Sequence, residues 1–233
     1  MKLKKYSIAA CLLAALLLVS TLLGCSTRQF ETASSDPGDS SSPNGSVMTP
    51  IELGSGLVLT GLSAASGTFP EDGSDTPISN VLCATFSNNG SAPLQYAAAN
   101  VLLNGTDYSF QISTIPAGGT VHAFDLDMQE APDSIDEVTA TAEHIVFFPE
   151  ELSVDAQRLK ISFADGTIEV KNISGEAIDQ EISIYYKTVV NGVYLGGITY
   201  RARVGALAAG QEVIGHSSHA RGDSELMFVT YGS

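Results

Sequence analysis

The chain has 233 residues, with 26 acidic against 11 basic side chains and a formal charge of −15. That balance excludes a basic, phosphate-neutralising surface for nucleic acid, and it excludes direct docking on anionic lipid through a cationic face. Length allows one large domain or two small ones.

Residues 1–24 read as an export signal. Lys2, Lys4 and Lys5 precede an apolar run over residues 8–23, too short and wrongly flanked for a spanning helix. The run closes on Leu22-Leu23-Gly24-Cys25. This sequence resembles the lipobox of bacterial lipoproteins. The resemblance implies cleavage before Cys25, lipidation (palmitate) of its thiol, and anchoring at the outer face of the cell membrane. Cleavage there leaves 209 residues in which Cys83 is the one remaining unmodified thiol, because Cys11 departs with the signal. No intrachain disulfide framework is then available. Within Val81-Leu82-Cys83-Ala84 the thiol is expected to be buried as a small hydrophobe.

Residues 25–50 are dominated by Ser, Pro, Asp, Gly and Asn and predict a flexible tether. About 25 such residues span roughly 25–30 Å root-mean-square. After Pro50, apolar residues alternate with polar ones between Gly, Asn, Ser and Pro punctuation, which predicts strands. The expected spans are 57–63, 81–87, 94–103, 109–114, 120–125 and 138–148, then 159–163, 167–172, 178–189, 193–204, 212–217 and 224–231.

The two sets resemble each other. Thr85-Phe86-Ser87-Asn88-Asn89-Gly90 corresponds to Glu169-Val170-Lys171-Asn172-Ile173-Ser174, 84 residues later. Ile115-Pro116-Ala117-Gly118-Gly119 corresponds to Leu207-Ala208-Ala209-Gly210-Gln211, 92 residues later. The eight extra residues fit around 187–197, where Asn191-Gly192 signals a hairpin. The expectation is an all-β chain with two tandem immunoglobulin-like β-sandwich domains, an acidic one over 51–151 and a second over 152–233; a single larger sandwich is the competing arrangement. The pattern, densest from Thr167-Ile168-Glu169-Val170 through Tyr185-Tyr186 and Tyr194-Leu195-Gly196-Gly197 to Phe228-Val229-Thr230-Tyr231, resembles uncharacterised lipoproteins of Gram-positive, Clostridia-like bacteria with immunoglobulin-like or fibronectin-type domains. That resemblance implies an address and assigns no catalytic residue.

Charge is lopsided. Residues 51–151 carry 14 acidic groups and no basic one, whereas 152–233 carry nine acidic and seven basic. Glu71, Asp72 and Asp75 lie in a turn-rich stretch that offers oxygen ligands to Ca2+, although the spacing is not that of a helix-loop-helix calcium loop. Asp125, Asp127, Glu130 and Asp133 form a second acidic knot. His216 and His219 have ligand spacing but face opposite sides of a regular strand. Arg221-Gly222-Asp223 reads as a hairpin turn. Tyr185, Tyr186, Tyr194 and Tyr200 either pack across strands or form an aromatic platform for a glycan or extended peptide.

No nucleophile elbow, H-E-x-x-H or phosphate-binding loop occurs. The functional expectation is a non-enzymatic, lipid-anchored cell-envelope protein, a binding or spacer module for an envelope protein, peptide or glycan. A surface hydrolase acting on envelope polymers through paired carboxylates and an accessory subunit of an exported complex offering an open sheet edge are the alternatives.

Overall fold

A computed structural model describes residues 48–69, 71 and 76–232. The expected signal, lipobox Leu22-Leu23-Gly24, lipidation site Cys25 and most of the tether lie outside the described residues, as do Asp72 and Asp75.

Among the described residues alternating burial builds thirteen strands. The first half holds β1 (Ile51–Gly54), β2 (Leu57–Thr68), β3 (Pro77–Asn88), β4 (Leu94–Leu103), β5 (Thr106–Ile115), β6 (Thr120–Phe124) and β7 (Val138–Phe147). The second holds β8 (Leu159–Ala164), β9 (Thr167–Asn172), β10 (Ile182–Val190), β11 (Val193–Val204), β12 (Glu212–His216) and β13 (Ser224–Tyr231). The expected spans 94–103, 167–172, 193–204 and 224–231 coincide with β4, β9, β11 and β13. Sequence reading misses β1, whose four residues are too few to show a period. A tight turn pairs it to β2, with Ser55 at φ 52° and Gly56 at φ 84°. Two positive φ values in succession match the right-handed twist of the strands they join.

The fold is all-β, with three sheets. Three-stranded sheets β5-β4-β7 and β12-β9-β8 face a seven-stranded sheet ordered β1-β2-β3-β6-β11-β10-β13. Two cores lie between these layers. One gathers Leu57, Leu59, Leu82, Phe86, Val101, Phe110, Ile112 and Val121; the other gathers Ile168, Val170, Ile182, Ile184, Tyr186 and Leu207. The long sheet therefore runs through both halves, and its one parallel pair, β6 with β11, is the seam.

The halves repeat each other bond for bond. Asn88 is fully buried, and its side-chain amide donates to the carbonyls of Ala92 (2.9 Å), Ile115 (3.0 Å) and Pro116 (3.2 Å). Asn172, also fully buried, donates to Glu176 (2.8 Å), Leu207 (3.2 Å) and Ala208 (3.1 Å). Each Asn oxygen accepts the N–H two residues on, from Gly90 and Ser174, both at 3.0 Å. The β3–β6 pairing (Ser87 with Thr120 through Cys83 with Phe124) is repeated residue for residue by β9–β12 (Lys171 with Glu212 through Thr167 with His216). The offsets are the 84 and 92 residues read from the sequence.

Each Asn ties the end of one strand to a turn and to the start of the next hairpin, so its loss opens three elements together. Asn88→Ala removes the amide that three inward carbonyls share and is expected to lower unfolding free energy by about 2–4 kcal/mol. Asn88→Asp should cost more, because an acceptor-only carboxylate then faces the same carbonyls. Urea denaturation of both variants, and of the Asn172 pair, checks the order and the equivalence of the two positions.

Candidate functional site

The chemistry of the described residues concentrates at the seam. From Leu94 to Ile115 the β4–β5 hairpin takes 22 residues, whereas the corresponding Ile178 to Leu207 takes 30. The additional length forms an arm. At its base Tyr186 pairs with Tyr200 and Thr188 with Leu195, so residues 196–199 of β11 bulge opposite the single residue Lys187 of β10. Gly196 permits this at φ 88°. Gly197 permits the approach itself, since a Cβ there would fall 1.9 Å from the Gln111 carbonyl oxygen on β5. The arm thereby enters between β5 and β6, pairing Tyr194 with Val121 and Leu195 with His122.

Polar groups seal the entry. The Ser113 hydroxyl donates to the Gly197 carbonyl at 2.9 Å and lies 2.9 Å from the Thr199 hydroxyl. Lys187 is fully buried, and its ammonium donates to the carbonyls of Ile198 (2.6 Å) and Ser113 (3.1 Å), one from each half. Glu71, on the connection from β2 to β3, accepts the Ile198 N–H at 3.3 Å. Burial pushes the Lys187 amine down to about 7, opposed by the Glu71 charge. Burial likewise pushes the Glu71 carboxyl up, opposed by the Ile198 N–H and the Lys187 charge. His122, whose Nδ1 lies 2.9 Å from the Thr85 hydroxyl, is held below the usual imidazole range by burial.

The sequence-predicted candidates are dispersed. Glu71 is turned into the seam, and its expected cation-binding companions Asp72 and Asp75 are outside the described residues. The aromatic platform does not form: Tyr186 and Tyr200 are in the second core, with the Tyr186 hydroxyl 2.6 Å from that of Ser217. Tyr194 packs against the first core and donates to Glu225 at 3.3 Å. Tyr185, half-buried, stacks on Phe228 at 4.2 Å between centroids, and Phe148 makes a T-shaped contact with Phe228 at 5.3 Å. The bulge at 196–199 breaks the alternation that would have put Tyr194 and Tyr200 on one face.

Asp125 is a turn organiser, buried and accepting the N–H groups of Ser109 (2.8 Å) and Gln129 (3.0 Å). His216 is exposed on β12 while His219 stacks on Tyr200 at 4.4 Å, so the two occupy different environments. Among the described residues no group of three or more His, Cys, Asp or Glu is placed to hold a metal ion. Arg221-Gly222-Asp223 makes a turn closed by the Ser224 N–H on the Arg221 carbonyl at 3.0 Å. It crosses between sheets and is not a hairpin, because β12 and β13 belong to different sheets. Cys83 is buried, and burial pushes its thiol up to about 12. A shallow surface recess of about 340 Å3 is lined by apolar groups, including Met48, Ile51, Leu62, Ile135 and Val138, with Asp136 as its one carboxylate.

No protein-family model matches the sequence, and no curated protein is similar to it.

The seam carries a pH signature. In the folded chain Lys187 gains its proton only below about pH 7, against 10.5 unfolded. Between those values the unfolded chain holds more protons, so this group's stabilisation is complete above the upper value and is lost as pH falls through the lower one. Urea denaturation between these limits should give the parent a stability that rises with pH relative to Lys187→Met, by up to about 1.4 kcal/mol per pH unit. Parallel profiles for the two proteins would contradict the burial of a titrating amine.

Proposed function

We propose that this is an exported, non-enzymatic protein of the cell envelope, held at the outer face of the membrane by lipidated Cys25. In this reading two tandem immunoglobulin-like β-sandwich domains act as a stiff spacer or binding module for an envelope protein, peptide or glycan. The observation that carries it is the seam: a sheet continuous through β6 and β11, sealed by Lys187 and braced by Phe148 against Phe228. Further ties run from the connecting segment into the second half, where the Val229 N–H donates to Ser153 at 2.9 Å and Tyr231 donates to Asp155. A joint of this kind transmits position instead of bending, which suits a body carried on a tether. The resemblance of residues 22–25 to a lipobox supplies the address. The paired-carboxylate hydrolase has less support: the recess at Met48 and Ile51 contains one carboxylate, and the small one that holds Glu169 and Glu212 is shared with Lys160 and Lys171, Glu212 being paired to Lys171.

Two measurements test the reading. Mass spectrometry of the membrane fraction should find the mature N-terminus as lipidated Cys25; an intact Met1 or an unlipidated Cys25 would rule out the anchor. For stiffness, spin labels on the exposed positions Thr139 and Ala177, each replaced by Cys in a chain carrying Cys11→Ser and Cys25→Ser, should give one narrow distance distribution. Cys83 stays unlabelled in the folded chain because it is buried and its thiolate is disfavoured. Adding Gly197→Ala should broaden that distribution, because the new methyl displaces β11 from β5.

A further inference from the structure

The internal repeat gives β6 and β12 the same place in their respective halves. Both pair on one side with the matching strand, β3 or β9, in the same register. On its other side β6 is covered by β11, through Val121 and His122. The matching residues on β12 are Val213 and Ile214, and among the described residues no backbone pairing occupies that outer edge. Ile214 is 63 % exposed, the highest value among the exposed large hydrophobics of the described residues. Glu212, Ile214 and His216 alternate outward on the same face, while Val213 packs against the second core.

We propose that β12 is a self-association edge, pairing antiparallel with β12 of a second copy about a two-fold axis through Ile214. The strand is self-complementary in that arrangement. Reversing Glu212-Val213-Ile214-Gly215-His216 about its centre sets Ile214 opposite its twin and Glu212 opposite His216 of the other copy. Both ends then join a carboxylate acceptor to an imidazole donor, and the centre buries the exposed isoleucine against an identical one. A parallel pairing, of the sort β6 makes, would set Glu212 beside Glu212 and is disfavoured by like charge. The result joins two three-stranded sheets into one of six strands, β8-β9-β12 and its symmetry mate, closing two open edges together. The inference concerns an assembly that the spacer reading does not require, so either one stands without the other.

Directly opposed residues of an antiparallel pair have Cα atoms about 4.5–5.5 Å apart, within reach of a disulfide. The full-length chain carrying Ile214→Cys, expressed in bacteria and treated with a mild oxidant, should therefore run as a dimer on non-reducing gels. The parent and Leu126→Cys, a position 51 % exposed elsewhere on the surface, should run as monomers. Ile214→Asp should shift a dimeric Cys25→Ser chain to monomer in sedimentation, keep a cooperative thermal transition, and abolish the parent's dependence of the unfolding midpoint on protein concentration. The proposal is overturned if Ile214→Cys stays monomeric, if Leu126→Cys cross-links as readily, or if Ile214→Cys couples to a different protein in place of itself.

Discussion

The two halves are held together by the approach of β11 to the open side of the first half, and that approach depends on the missing side chain of Gly197. With the Gln111 carbonyl 1.9 Å from where a Cβ would stand, no other residue type fits without moving β11 away from β5. The polar contacts of the seam all require this spacing. Ser113 reaches the Gly197 carbonyl, and the Lys187 ammonium bridges Ser113 and Ile198, only while the two strands stay in near contact.

A buried lysine is an expensive way to close an interface, because desolvating an ammonium costs several kcal/mol before any hydrogen bond is made. Two carbonyls and the field of Glu71 offset part of that cost; the remainder shows in the amine's depressed proton affinity. An apolar side chain of similar length would avoid the penalty but would leave the Ser113 and Ile198 carbonyls without this donor. Lys187 thus favours a single seating of the arm over a set of slid ones, a specificity that apolar packing alone supplies poorly. The lopsided charge takes on meaning here. Glu71 belongs to a half that contributes 14 acidic groups and no basic one, so its compensating charge comes from across the seam.

Local and periodic features were legible in the sequence. Strand alternation located twelve of the thirteen strands among the described residues, and Asn88 with Asn172 marked the repeat because each sits at the same break in pattern. Even the eight additional residues were traceable to 187–197. What they build was not, since pairing between β6 and β11 joins positions about 70 residues apart and leaves no period in either strand. Two signals pointed toward it: a lysine inside the apolar run Ile182-Ser183-Ile184-Tyr185-Tyr186-Lys187-Thr188-Val189, and consecutive glycines inside β11. Either one breaks a strand rule, and such breaks mark close backbone approach. The tyrosine platform failed for the same reason, because counting by twos assumes a strand without a bulge.

Repetition of a sandwich also repeats its exposed edges, and the two halves resolve that problem differently. In the first half the arm covers β6 at Val121 and His122, and Thr120-Val121-His122-Ala123-Phe124 carries no acidic group to oppose a neighbouring strand. Among the described residues no strand covers the matching edge of β12 in the second half, and that edge has a different composition. Glu212 and His216 bracket Ile214, and Glu212 is further fixed by Lys171 at 3.1 Å. Polar and charged side chains at the ends of a short edge strand discourage indiscriminate pairing. The same side chains admit a partner strand that presents them in the opposite order. The acceptor position that the repeat places on both halves is thus filled within the chain on one side, and on the other is guarded by residues that select for orientation.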